Sequence, residues 1–437
     1  MYLPHSQEDV EAVLKELGLS SLEELFSHID PSLLSSPNLE KPMSEEEIRR
    51  FLKERAKKNK PLVSFAGFGA YDRIIPSAVW QILGRGEFLT AYTPYQAEAS
   101  QGTLQAIFEY QTLICELTGM DVANASMYDG ASALAEGILM ARALKSAGKK
   151  VLISEGVNPL YREVVKTYLA GYEDEISLIP LCKEGSTDLY ILEDYLRKDD
   201  VHALAVQYPN FLGFIEPIKE IGELAKRYHV PFVVVADPIA LSILRPPGDY
   251  GADIVVGEGQ QMGVPLNFGG PYAGFFTTRY EYVRKMPGRI VGLAEDVEGK
   301  RAFTLVLQTR EQHIRRERAT SNICTNQNLI AIANLLYMVL LGKEGIREVA
   351  KQSLSKALYL KEKLLSLGFE EIYTGKHLWE FPLKIDNALD LYKKLLEEGF
   401  LLGVPLDKFG YRDTLLIAVT EKRNREEMER LLNAIRL

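Results

Sequence analysis

The sequence predicts an α/β fold in which a mostly parallel sheet is flanked by helices. Short apolar runs, most of them rich in β-branched or aromatic residues, alternate with stretches of helical periodicity such as Leu160–Ala170 and Ile215–Tyr228. Several runs are apolar at successive positions, as in strands that are buried on both faces. The predicted strands are Val151–Ser154, Ile176–Pro180, Ala203–Gln207, Phe232–Ala236, Ile254–Val256 and Gly274–Thr277.

Residues 1–60 are predicted to form an N-terminal helical arm. Ser6 is a suitable N-cap because acidic residues follow it in the first turn, and Asp9 stands where it could close a capping box. Ser44, followed by three glutamates, begins a second helix in the same way. Such an arm is expected to pack on a partner or on the body of the protein.

Residues 61–330 form the predicted large α/β domain, and residues 331–437 a small C-terminal α+β domain. The run Leu329–Leu341 is the longest apolar stretch, but Asn334 interrupts it and it is too short to span a bilayer, so a buried helix is predicted. The remaining predicted elements of the tail are the helix Val349–Leu367, the strand Trp379–Ile385, the helix Leu389–Glu398, the strand Leu415–Ala418 and the helix Arg425–Ile435.

Composition and charge exclude several classes of protein. The 437 residues are 46% hydrophobic and 25% charged, which excludes a disordered, coiled-coil or small disulfide-bonded chain. The net charge of −9 argues against nucleic-acid binding. Cys115, Cys182 and Cys324 lie far apart with no CxxC pair and no nearby His pair, so we expect reduced thiols and no metal site. The acidic N-terminus lacks an apolar signal region, and a cytoplasmic protein is expected.

Polar residues at two strand ends indicate where a ligand could bind. Asp237 ends a predicted strand, and ligands of open α/β sheets bind at the carboxyl ends of strands. There it could pair with the ring nitrogen of pyridoxal phosphate, or it could cap the next helix. Asp129, Gly130 and Ser132 open the helix that runs to Ala143, and small residues at a helix N-terminus let amides approach a phosphate. Any strand-to-helix junction also favours such residues.

A set of longer motifs then makes a family resemblance visible. The chain resembles fold-type-I pyridoxal-phosphate enzymes, and among them the P-protein (glycine decarboxylase) family of the glycine cleavage system. The family exists as one long chain or as two subunits, and this sequence is similar to the N-terminal half, subunit 1. The motifs are FAGFGAYD at 65–72, YTPYQAEASQG at 92–102, GGP at 269–271, QTREQHIRR at 308–316 and ATSNICT at 319–325.

The resemblance implies that this half lacks the Schiff-base lysine. The other half of the family carries a His-Lys-Thr segment shortly before a proline and a Gly-rich turn. Counting back from Pro265 and Pro271 places that lysine opposite Gln260. Because an amide cannot form an aldimine, this chain should not hold the cofactor covalently, and alone it should be inactive. The vestigial cofactor site is predicted at Ser132, Asp237 and Gln260.

Active sites of this fold lie near the interface of two similar subunits, so the resemblance implies that this chain supplies a second wall to the partner's site. The loop at 92–96 offers hydroxyls, aromatic faces and an amide that suit glycine, or its tyrosines are interface packing. The arginine-rich block could bind a carboxylate or phosphate, or form salt bridges between subunits. The predicted substrate-binding residues are Tyr92, Thr93, Tyr95, Gln96 and Arg315; the predicted cofactor-binding residues are Gly269, Gly270 and Asn322.

Two functions remain open at this stage. The first is an oxidoreductase subunit, glycine dehydrogenase (aminomethyl-transferring). With a lysine-bearing partner that holds pyridoxal phosphate, it decarboxylates glycine and passes the aminomethyl group to the lipoyl group of H-protein. The second is a non-catalytic structural or docking subunit of the same complex. An independent aminotransferase or lyase is disfavoured by the missing lysine. The role of the segment Thr320–Asn322 is open as well. Its hydroxyls and amide could bind a ligand, or the segment could be the N-cap of the following helix.

Overall fold

The computed structural model describes residues 4–35, 37–145, 148–198, 200–267 and 269–436. These fall into two compact units, Met1–Lys60 and Pro61–Leu437. The predicted boundary near residue 330, inside the second unit, stays a prediction.

The first unit contains two α-helices whose starts are set by their caps. Helices α1 (Gln7–Glu16) and α2 (Glu45–Ala56) begin at Ser6 and Ser44, and both caps form a full capping box, with Asp9 and Glu47. The sequence-based prediction of both caps is confirmed. Neither helix buries a side chain, so the apolar residues of both remain on the surface of the described chain.

The second unit is built from short strands connected by helices. Its strands are β1 (Val63–Ser64), β2 (Val122–Ala123), β3 (Lys150–Ser154), β4 (Glu175–Ile179), β5 (Val201–Tyr208), β6 (Phe232–Ala236), β7 (Ile254–Glu258), β8 (Gly274–Thr278), β9 (Ile290–Glu295), β10 (Arg301–Val306), β11 (Glu370–Glu371), β12 (Glu380–Lys384), β13 (Phe400–Leu401), β14 (Val404–Pro405) and β15 (Thr414–Ala418). Its α-helices are α3 (Ser77–Leu83), α4 (Gly86–Leu89), α5 (Gln101–Thr118), α6 (Gly130–Leu144), α7 (Pro159–Leu169), α8 (Leu189–Lys198), α9 (Ile218–Arg227), α10 (Gln312–Arg315), α11 (Asn328–Leu365), α12 (Ala388–Glu397) and α13 (Arg425–Arg436).

The central sheet has the strand order β2-β8-β7-β6-β5-β3-β4. All neighbours from β7 to β4 pair in parallel, and only β8 runs against its two neighbours. In β6, Val233 and Val235 join one apolar core and Phe232 and Val234 another, so both faces are covered. The predicted mostly parallel, doubly covered sheet is confirmed. The carboxyl ends of β6 and β7 therefore lie side by side.

The tail forms a smaller antiparallel sheet of order β11-β12-β15-β14. The sequence predicted β12 and β15 but not the two-residue strands β11 and β14, which are too short to carry a pattern. Strand β1 pairs in parallel with β13, with Val63 opposite Phe400. This pairing joins the start of the second unit to its end.

Helix α11 spans both of the helices that the sequence predicted after residue 328. Gly342 lies inside it at φ 59°, ψ −175°, a conformation that glycine adopts without strain, and the helix kinks there. Within the described residues, α11 is the one helix long and apolar enough to cross a membrane, and half of its most apolar window is buried in the protein. Helix α11 begins at Asn328 and its N-cap is Gln327, so the alternative interpretation of Thr320–Asn322 as the cap of this helix is wrong.

Strands β9 and β10 form an antiparallel hairpin that the sequence did not predict. In β9 two buried residues are followed by half-buried and exposed ones, beginning at Gly292, and in β10 half-buried residues alternate with buried ones. Such mixed segments resemble loops when only their composition is considered. The hairpin matters because Arg289 immediately precedes it.

Candidate functional site

Gln260, at the predicted lysine position, is fully buried just beyond the end of β7. Its Oε1 accepts from the Tyr71 N–H at 2.8 Å, and its Nε2 donates to the carbonyls of Tyr71 at 3.0 Å and Val264 at 2.8 Å. The side chain thereby fastens the segment around residue 71 to the sheet edge. It is a structural amide with both ends satisfied.

Glu258 fills the place where the N-terminus of α6 would meet a phosphate. Its Oε2 accepts from the Gly130 N–H at 2.9 Å, while Oε1 accepts from the N–H groups of Gln260 at 2.9 Å and Ala273 at 3.3 Å. Burial raises the pKa of Glu258 to about 8, although these three donors oppose the shift. The Ser132 hydroxyl bonds Asp129 in the capping box of α6, so it too is engaged within the chain.

Asp237 follows β6 and acts as a cap. Its Oδ1 accepts from the N–H groups of Ile239 at 2.8 Å and Ala240 at 3.0 Å, as the alternative sequence interpretation anticipated. The space between Asp237 and Glu258 is a cavity of about 30 Å³. Ligand pockets usually measure roughly 300–1,000 Å³, so this cavity suits a water molecule at most.

Pyridoxal phosphate therefore does not fit this chain's own site. The amine is replaced by the amide of Gln260, the phosphate position is taken by the carboxyl group of Glu258, and the cavity beside Asp237 is too small. The predicted vestigial residues Ser132 and Gln260 both lie at this filled site. Ser132 is in the first turn of α6, whose Gly130 N–H bonds Glu258, and the Gln260 N–H bonds Glu258 directly. No chemistry of the cofactor can be assigned to it.

A second polar cluster connects the loop at 92–96 to the arginine-rich block. Arg289 donates from Nη1 to Thr93 Oγ1 at 3.2 Å, from Nη2 to Tyr95 Oη at 2.6 Å and to Cys324 Sγ at 3.7 Å, and from Nε to Glu311 Oε2 at 3.2 Å. Arg289 and Glu311 are buried, whereas 46% of the Tyr95 surface is exposed. The cluster thus holds an accessible phenol on a buried ion pair.

The surface above this cluster is a groove of about 490 Å³. Tyr92, Thr93, Tyr95 and Gln96 all line it, so four of the predicted substrate-binding residues share one surface. Tyr92 is 75% exposed. The ring of His313 contacts the Tyr95 ring edge-on, with centroids 5.5 Å apart.

The other predicted binding residues lie apart from these contacts. Arg315 is exposed and donates to the Thr309 carbonyl at 3.3 Å, while Asn322 is exposed and accepts from Gln312 at 3.4 Å. Gly269 and Gly270 have φ of 103° and 106°, so they make a turn that side chains would strain. Arg315 touches the cluster around Arg289 through its backbone, because its N–H donates to the Glu311 carbonyl at 2.9 Å. Among the described contacts, no side chain of these four residues bonds Arg289 or the loop at 92–96.

Sequence reasoning missed Arg289 and Glu311. Arg289 stands nearly two hundred positions from the loop that it contacts, so no local spacing could indicate the pair. The one available signal was a charged residue directly before the apolar pair Ile290 and Val291, because a buried charge needs a partner.

Comparisons with known proteins agree with this architecture. Residues 1–435 match the family model described as glycine cleavage system P-protein. A protein of Aquifex aeolicus (strain VF5) named probable glycine dehydrogenase (decarboxylating) subunit 1 is 67% identical over 434 residues, 99% of each chain.

Solved structures give the same result. A crystal structure of glycine decarboxylase (P-protein) of the glycine cleavage system, in inhibitor-bound form, superposes with a TM-score of 0.91 at 42% identity, covering 100% of this chain and 99% of that one. A glutamate decarboxylase of Lactobacillus brevis shows likeness of fold alone, with a TM-score of 0.68 at 14% identity over 94% of this chain and 95% of its own. The predicted aminotransferase-like, fold-type-I architecture is confirmed, and the chain belongs to the glycine cleavage system P-protein family.

Proposed function

We propose that this chain is subunit 1 of a two-subunit glycine decarboxylase of the glycine cleavage system, active only with a lysine-bearing partner. The observation that carries the proposal is the buried, fully bonded Gln260 at the lysine position of a chain that matches the P-protein family over residues 1–435. A relative that is 67% identical is named as subunit 1, which supports a partner subunit.

The cofactor of the complex is pyridoxal phosphate, held covalently by the partner subunit. The structural neighbours that share this fold support the cofactor class. The filled site around Glu258 supports the assignment of the cofactor to the partner rather than to this chain. Bound there, the cofactor supplies an electron sink for the loss of the glycine carboxylate.

The contribution of this chain is the second wall of the partner's site. The loop at 92–96 presents the Tyr95 and Thr93 hydroxyls from a rigid base, and a phenol donor suits the carboxylate of glycine. Tyr92 and Gln96 complete the same groove. Arg315 is proposed as a further substrate-binding residue because its side chain is exposed. The cofactor-binding residues proposed are Asn322, which is exposed, and Gly269 and Gly270, which form a turn.

The complex passes the remaining carbon to a lipoyl group on H-protein. The carboxylate leaves as CO₂, and the aminomethyl carbon forms a bond with one lipoyl sulfur while the disulfide breaks and the other sulfur becomes a thiol. A cytoplasmic location belongs to the same proposal. The three cysteines of this chain are all free, as expected in a reducing compartment.

A purely structural or docking subunit is the second candidate. The self-filled site favours it, because this half has replaced its own cofactor contacts with internal hydrogen bonds. The two candidates differ in whether the groove side chains affect turnover once the complex is assembled.

Glycine–bicarbonate exchange by the co-expressed halves, with lipoylated H-protein, tests the proposal. Exchange is expected only when both halves are present. Exchange by the lysine-bearing half alone at the full rate would show that this chain is dispensable for the chemistry. A complex that forms but has no exchange activity would overturn the assignment of the reaction.

A further inference from the structure

Arg289 is the junction between the two segments that carry the candidate site. Each of its three guanidinium nitrogens has a partner: Nε bonds Glu311, Nη1 bonds Thr93, and Nη2 bonds both Tyr95 and Cys324. The guanidinium carbon also lies 5.0 Å from the centroid of the Tyr95 ring. One planar group therefore fixes a loop from one end of the domain to a segment more than 200 positions later.

Arg289 itself cannot receive a substrate carboxylate. Only 2% of the residue is exposed, and the guanidinium is already engaged by Glu311 and the loop. Tyr95 is different, because nearly half of its surface is exposed and it lines the groove. Of these two side chains, only the tyrosine can contact a small ligand directly, so the arginine acts through it.

The hydrogen bond between the two side chains fixes the direction of a proton. Arginine has donors and no acceptor, so the Tyr95 oxygen must accept in the 2.6 Å contact. The phenol therefore keeps its own hydrogen, which must point away from the guanidinium. Arg289 and His313 contact the ring, and Tyr95 also lines the groove, where an acceptor on a ligand could receive this hydrogen.

We propose that Arg289 is a positioning residue that holds the Tyr95 hydroxyl as a hydrogen-bond donor to the carboxylate of glycine in the partner's site. The inference rests on the proposed function. Glu311 is the ion-pair partner of Arg289, and it neutralises a guanidinium that would otherwise be buried without a counter-charge. The planar fork is essential, since an ammonium is a point charge that cannot bond Thr93, Tyr95 and Glu311 in fixed directions.

The test is a double-mutant cycle on the assembled complex, with Arg289→Lys, Tyr95→Phe and both together. Arg289→Lys keeps the charge and is expected to raise the KM for glycine roughly 10- to 100-fold, a range typical of small misplacements of a binding group. Loss of uniform binding leaves kcat nearly unchanged. The double variant should be no worse than Tyr95→Phe alone, because the arginine acts only through the hydroxyl.

Arg279→Lys is the matched control. That arginine is also fixed by its fork, but on the backbone carbonyls of Ala252 and Gly248. Its replacement should lower the thermal midpoint without changing the KM for glycine. Glu311→Gln tests the same prediction if the Arg289→Lys complex does not assemble. It keeps the guanidinium but weakens the ion pair that holds it, so it should also raise the KM for glycine.

Two outcomes would overturn the inference. The first is an Arg289→Lys complex with an unchanged KM, and the second is a double variant whose losses multiply, as expected for an arginine that acts independently of the hydroxyl. A failure of the proposed function looks different, because the wild-type complex itself would then show no exchange.

Discussion

Gln260 satisfies both backbone polar groups of Tyr71, accepting from its N–H at 2.8 Å and donating to its carbonyl at 3.0 Å. The amide thus pairs with a backbone segment as a neighbouring strand would. A lysine could supply donors for the carbonyl but no acceptor for the N–H. The hydrogen bonds at position 260 therefore require an amide, and a lysine there could not make all of them.

Restoring the lysine should not restore a cofactor site. Gln260→Lys leaves the Tyr71 N–H unpaired and buries an ammonium, so we expect a loss of at least about 2 kcal/mol in unfolding free energy. Neither the variant nor the wild-type chain should show aldimine absorbance or a lysine trapped by borohydride, because Glu258 still occupies the phosphate position. Denaturant titration and absorbance spectra measure the two effects.

Gln352→Lys, an exposed change on α11, controls for the added charge and should leave stability nearly unchanged. Stoichiometric reduction of pyridoxal phosphate onto any lysine of the isolated wild-type chain would contradict the interpretation of its site.

Removing the Tyr95 hydroxyl should lower kcat/KM for glycine without loosening the complex. Tyr95→Phe keeps the ring and deletes the proposed hydrogen bond to the glycine carboxylate, worth about 1.5–3 kcal/mol because that partner is charged, together with the bond that the hydroxyl accepts from Arg289. Since each 1.4 kcal/mol is about tenfold, kcat/KM should fall roughly 10- to 150-fold. Exchange kinetics and sedimentation of the co-purified complex measure both properties.

Tyr190→Phe, at an 85% exposed tyrosine, should be silent in the same assays. If Tyr92→Phe and Tyr95→Phe both keep wild-type kinetics, the hydroxyls of this loop do not take part in the reaction. The docking function would then be the better description of the subunit.

Stability should depend on pH through Glu380, which accepts hydrogen bonds from the Phe68 N–H at 2.6 Å and the Tyr71 hydroxyl at 2.7 Å. Burial raises its pKa from 4.5 to about 7, Asp237 adds to the rise and Arg73 opposes it. Between these values the folded chain holds a proton that the unfolded chain has lost. The unfolding free energy therefore falls as the pH rises through this window.

Glu380→Gln cannot titrate and can still bond both partners, so it should lack this contribution. Relative to wild type, the variant should gain about 2–3 kcal/mol between pH 5 and pH 8, from 1.36 kcal/mol per unit of pKa shift. Denaturant unfolding of both proteins at several pH values measures the difference. A constant difference across the range would show that Glu380 is ionised throughout.

The chain should form an extensive apolar interface with its partner, burying more than roughly 2,000 Å² as obligate complexes do. Residues 1–60 expose many apolar side chains, including Leu33, Leu39 and Leu52, and the turn Gly269–Pro271 is expected at the same boundary. Leu52→Glu should weaken association without unfolding the second unit. Analytical ultracentrifugation of the mixed halves measures this, and a chain that stays monomeric with its partner would contradict it.

Much of the fold could be predicted because its signals are local. Strands such as Phe232–Ala236 are apolar at every position and lie in a sheet buried on both faces, and Ser6 and Ser44 carry their own capping partners. The β9–β10 hairpin escaped prediction because most of its residues are half-buried or exposed, so neither strand is a continuous buried run. The kink in α11 depends on a single glycine within an otherwise helical pattern.

The candidate site was predictable only where a motif is contiguous. The loop at 92–96 could be selected from its side-chain chemistry, but its anchor Arg289 depends on tertiary packing that brings residues 93, 289 and 311 together. Glu258 was missed for another reason. A glutamate at the end of a strand normally faces solvent, and only the structure places this one against the amide of Gly130.

The contact between Glu258 and Gly130 also determines how many cofactor molecules the assembled complex should bind. A dimer of two similar subunits ordinarily offers two cofactor sites, but a site already filled by its own glutamate side chain has no room for a cofactor. Titration of the assembled complex with pyridoxal phosphate should therefore reach its end point at one equivalent per pair of unlike subunits. An end point at two equivalents would mean that free cofactor can displace the Glu258 side chain from Gly130.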